Sequence, residues 1–148
     1  MAKQQQILYL EDSDFLGFNL SFHVGLHGAN QRGDVMLIQA LFNFISDITS
    51  TGLKSTVDLP FLTGRMDGAT QNAIMAFQFR WTRLLLPEFM GMIFPLPPKY
   101  RLAKLEDRRP AMAMLNELAW TSKGGASETL PHALLKEFPE LRPLLRVK

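Results

Sequence analysis

A few side chains in this sequence are of types that do chemistry, and their spacing decides what each set could do. Glu11, Asp12 and Asp14 form its densest run of carboxylates. Glycoside hydrolysis needs two carboxylates held at a defined separation across a cleft, whereas carboxylates clustered near a chain end read as a solvated segment. His23 and His27 flank Gly25 in a stretch that reads as extended and looped, and His132 lies far along the chain. Without further ligands or an orienting carboxylate, no zinc site is expected. No serine stands in a Gly-x-Ser-x-Gly context, so the nucleophile elbow is missing. The absence of cysteine removes disulfides, thiolate metal sites and thiol nucleophiles together. The residues therefore predict a noncatalytic protein with no metal and no cofactor.

Binding chemistry is better represented. Arg65, Asp67 and Gln71 are polar residues in and just after a glycine-containing turn that leads into a helical pattern. A helix N-terminus offers unpaired N–H donors to a carboxylate, which makes this turn the expected ligand contact. Phe77 and Trp81, four positions apart, belong to the apolar stripe of that helix. Phe79 faces away from them and is the candidate for an exposed aromatic contact, because aromatic faces stack on sugars and bases alike.

The elements that must position these residues follow from composition and period. A chain of 148 residues, 47% hydrophobic and 20% charged, suits one globular domain with its own core. A net charge of +2 gives no broad cationic field of the kind that phosphate backbones need, so no nucleic-acid partner is expected. The apolar run Ile7 to Leu10 is too short for a secretory signal, and no segment approaches the roughly 18 apolar residues of a membrane span. Cytoplasmic synthesis without a signal peptide is the expectation.

Phe18, Leu20, Phe22 and Val24 alternate with polar residues, which predicts one extended segment with those four on one side. From Asp34, apolar residues at Val35, Ile38, Leu41, Phe42, Ile45 and Ile48 recur at three- and four-residue steps and predict a helix, with Asp34 capping its first turn. Residues 46 to 60 read as a loop. A second helix from near Thr70 places Ala73, Ile74, Phe77, Trp81, Leu84 and Leu85 inward and stops before Pro87. A third, from Asp107 to Trp120, carries Pro110 in its first turn and Met112, Leu115, Leu118 and Ala119 inward. Leu134, Leu135 and Phe138 predict a short helix, after which Pro139 and Pro143 punctuate a leucine-rich tail.

Two of these segments carry a resemblance. Asp34, Val35, Gln39, Leu41 and Asn43 fit the pattern D-V-x-x-x-Q-x-L-x-N, and Thr70, Ala73, Ile74, Phe77 and Gln78 fit T-x-x-A-I-x-x-F-Q. Each follows a glycine-containing loop, and in this order they resemble the peptidoglycan-binding-like domain family. Before the second helix the family reads D-G-x-x-G-x-x-T. Here Gly64 fits, the second glycine comes one residue late at Gly68, and Thr63 replaces the aspartate. The matching glutamines, Gln39 and Gln78, are expected to satisfy backbone groups of the preceding turns rather than to touch ligand.

The resemblance implies a mainly α fold: a compact three-helix bundle over residues 24–120, with an extended N-terminal arm over 1–23. Residues 121–148 then form an elaborated helical C-terminal extension that packs on the domain or docks a partner. It implies a framework of Asp34, Gln39, Leu41, Thr70, Ala73, Phe77 and Gln78, and peptidoglycan or a muropeptide as ligand, with contacts at Arg65, Asp67, Gln71 and Phe79. The alternative is an adaptor in a secretion or phage-tail-like assembly, gripping a protein through the arm or the tail. The first reading calls for delivery to the periplasm, the second for incorporation into a secreted particle.

Overall fold

A computed structural model describes residues 7–11, 16–45, 58–81, 91–97, 110–122 and 130–146. Helices account for more than half of these residues, so the protein is mainly α. In chain order the elements are β1 (Ile7–Glu11), β2 (Leu16–Asn19), β3 (Val24–Gly25), α1 (Arg32–Ile45), α2 (Gly68–Trp81), β4 (Met92–Ile93), α3 (Ala111–Ser122), α4 (Leu130–Glu137), a 3₁₀ turn (Pro139–Leu144) and β5 (Leu145–Arg146).

The centre of the molecule is α1. Val35, Ile38, Leu41, Phe42 and Ile45 are all fully buried, as their spacing predicts, but so are Leu37 and Ala40, and Met36 and Phe44 nearly so. A helix that is apolar on every side must be enclosed on every side. It packs against α3, with the 3₁₀ turn, α4, β1 and β3 on its other flanks. On α2, Ala73, Ile74 and Phe77 turn inward, and Phe77 meets Phe42 of α1 at a ring separation of 5.9 Å. Met112, Leu115 and Ala119 of α3 are buried as expected, while Leu118 is half-buried. Pro110 precedes this helix, and its carbonyl accepts the N–H of Met114. A proline fits there because its missing N–H would have no helical partner.

Strands are the larger departure from expectation. The N-terminal stretch is not a lone extended segment: β1 lies between β2, antiparallel, and β5, parallel, in one sheet. Phe18 of β2 and Leu20 just after it share one core with Leu134, Leu135, Leu141 and Leu144 from the C-terminal region. The predicted alternation also breaks. Phe18, Leu20 and Val24 are buried, but Phe22 is half-exposed because the chain bends at Ser21 and Phe22. Asp34 causes the bend. It sits in the first turn of α1, which begins at Arg32, and its two carboxylate oxygens accept the N–H groups of Ser21 (2.9 Å) and Phe22 (3.0 Å). The expected helix cap is thus a clamp on another segment; its charge still lies at the end of the helix dipole that favours an anion.

Ile48, Leu84, Leu85 and Pro87 lie outside the described residues, as do Asp12, Asp14, residues 46–57 of the expected loop and residues 107–109; the side chain of Trp81 is likewise not described.

Candidate functional site

The turn before α2 is built around Gln39, which reaches it from the buried face of α1. The Gln39 carboxamide oxygen accepts the N–H groups of Thr63 (3.0 Å) and Gly64 (2.9 Å). Its nitrogen donates to the Arg65 carbonyl (3.1 Å) and to the Thr70 hydroxyl oxygen (2.9 Å), with a longer contact to the Thr63 hydroxyl (3.3 Å). The Thr70 hydroxyl in turn donates to the Asp67 carboxylate at 2.6 Å. Asn43, one turn after Gln39, donates to the Pro60 carbonyl and fixes the approach to this turn.

Gln78 repeats the device on the next helix. Its carboxamide oxygen accepts the N–H of Gly91 (2.5 Å), and its nitrogen donates to the Met92 carbonyl (2.7 Å). In both cases the oxygen takes the N–H of a glycine with positive φ, 74° at Gly64 and 90° at Gly91, and the nitrogen bonds the carbonyl of the next residue. Both glutamines clamp the turn that follows their own helix, not the one before it. Backbone groups of such a turn that find no partner in a helix or sheet need side-chain partners when buried.

Three asparagines act the same way. Asn30 brackets Gly25, accepting its N–H (2.7 Å) and donating to its carbonyl (3.0 Å). Asn19 does so for Leu96, and Asn116 of α3 for Phe18. Asn116 thereby occupies the outer edge of β2 where a further strand would pair. These carboxamides each stand in for a peptide group, and they tie together segments that the chain separates by up to 98 positions. The short loop between β3 and α1 is further closed by bonds from the Gly28 N–H to the Gly25 carbonyl and from the Asn30 N–H to the His23 carbonyl.

Against this framework the four expected ligand residues part company. Asp67 is the N-cap of α2: its carboxylate accepts the Thr70 N–H at 2.8 Å, and its carbonyl accepts the Gln71 N–H. The helix end offered to a ligand carboxylate is therefore filled by the protein's own. Gln71 donates its side-chain amide to the Gly91 carbonyl (2.9 Å), which also accepts the Leu26 N–H. It belongs to the scaffold of the β3–β4 junction. Arg65 and Phe79 are exposed, Phe79 at 81%.

Phe79 is not isolated. Met75 lies one turn before it on α2, and Met75 and Leu26, the first residue after β3, both border the space beside the Gly91 Cα. All three are exposed, and this grouping across a loop and a helix had no periodic signal in the sequence. His23 and His27 are exposed, and His23 meets the ring of Phe94 edge-on at 4.6 Å. Among the described residues no group of three or more His, Cys, Asp or Glu could hold a metal ion, and no helix is long and apolar enough to cross a membrane.

Compared with known proteins, the chain matches no family model, and no curated protein or solved structure resembles it significantly.

Proposed function

We propose that the protein is a noncatalytic binding module whose α1, α2 and α3 form a peptidoglycan-binding-like helical unit and whose ligand is peptidoglycan or a related wall polymer. One observation supports this above others: Gln39 and Gln78, the residues that carry the resemblance, perform one and the same backbone-clamping task on successive glycine turns. The two helices thus repeat a device as well as a pattern, while the likeness to the family is that of the sequence pattern. Fold does not fix function, so the wall ligand rests on that likeness. Its contacts are Arg65, a cation at the turn for the carboxylate of a peptide stem, and Phe79, an aromatic face for a sugar ring. Asp67 and Gln71 support these contacts without making them.

A second reading, an adaptor in a secretion or phage-tail-like assembly, is favoured by the exposed group of Leu26, Met75 and Phe79. Its members are apolar, and the neighbouring Gln71 amide is already engaged. Apolar protein surfaces are the natural partner of such a patch. Titrating isotopically labelled protein with a purified muropeptide separates the two. Wall binding moves the amide resonances of Arg65 and of residues near Phe79 while leaving those of α3 in place. Unchanged spectra at millimolar muropeptide favour the adaptor.

A further inference from the structure

We draw no further inference here: the strongest candidate, the exposed apolar patch of Leu26 just after β3 and Met75 and Phe79 on α2, carries nothing because nothing in the structure shows what covers it.

Discussion

The side chains that define this molecule are carboxamides, which one group can use to accept a backbone N–H and donate to a backbone carbonyl. In a chain without cysteine, they supply the cross-links between segments distant in sequence. Gln78 gives the clearest test, since its two bonds go only to backbone groups of Gly91 and Met92. Gln78→Ala leaves a buried N–H without that acceptor and a carbonyl without that donor, at about 1–3 kcal/mol for each group left unsatisfied. Gln78→Glu keeps the acceptor but sets a second carboxylate oxygen against the Met92 carbonyl, a conflict that protonation relieves. Burial raises the folded-state pKa of such a carboxyl above the unfolded value of about 4.3. The variant's stability is therefore greatest below that value and falls as pH rises through the folded-state pKa. Urea midpoints taken from pH 4 to pH 8 follow this course in Gln78→Glu relative to wild type, and a flat difference would remove Gln78 from its clamping role. The sequence made the two glutamines conspicuous. It left their targets hidden, because a clamp on a turn 25 positions away in sequence produces no local pattern. Asp67 and Gln71 hold backbone groups, which the sequence does not announce, because a polar residue near a helix start has the same appearance whether it holds backbone or ligand.

At the level of elements, the periodic helices were legible and the short strands were not. Val35, Ile38, Leu41, Phe42 and Ile45 of α1, Ala73, Ile74 and Phe77 of α2 and Met112, Leu115 and Ala119 of α3 turn inward as their spacing predicts, whereas Leu37 and Ala40 are buried outside that stripe and Leu118 is only half-buried. β3 and β4 are two residues each, too short for any alternation, and they meet only because Gly25 allows it. That residue has a φ of 121°, and a Cβ there would be driven into the Gly91 carbonyl oxygen. Gly25→Ala thus strains the backbone and parts β3 from β4, with a loss of stability on the order of 1–3 kcal/mol. Faster hydrogen exchange at the Leu26 amide, which donates to Gly91, accompanies a lowered urea midpoint; wild-type values for both would show that the junction tolerates a side chain. The bend at Ser21 and Phe22 escaped the sequence because the alternation of Phe18 to Val24 is a local signal. Asp34, acting from α1, overrides it and turns Phe22 outward.

Across the described residues, one core joins the N-terminal and C-terminal regions, with β1 paired to β5 and Leu141 and Leu144 in the same buried cluster as Phe18. The leucine content of the C-terminal region announced burial, but its parallel pairing with the N-terminal strand has no signature in either segment. Leu141→Ala is expected to destabilise the entire domain by about 2–5 kcal/mol in one cooperative transition, including the remote turn at Gly64. A separate early transition confined to α4 and the 3₁₀ turn would mean that the C-terminal region folds as its own unit. This integrated body presents Arg65 from the turn that Gln39 clamps and Phe79 from α2, and these two are the contacts of the proposed wall binding. Cosedimentation with purified sacculi tests it most directly: wild-type protein pellets with the wall material, and Arg65→Ala and Phe79→Ala lower the bound fraction several-fold at an unchanged melting temperature. Wild-type protein left in the supernatant with sacculi of several wall chemistries would contradict it.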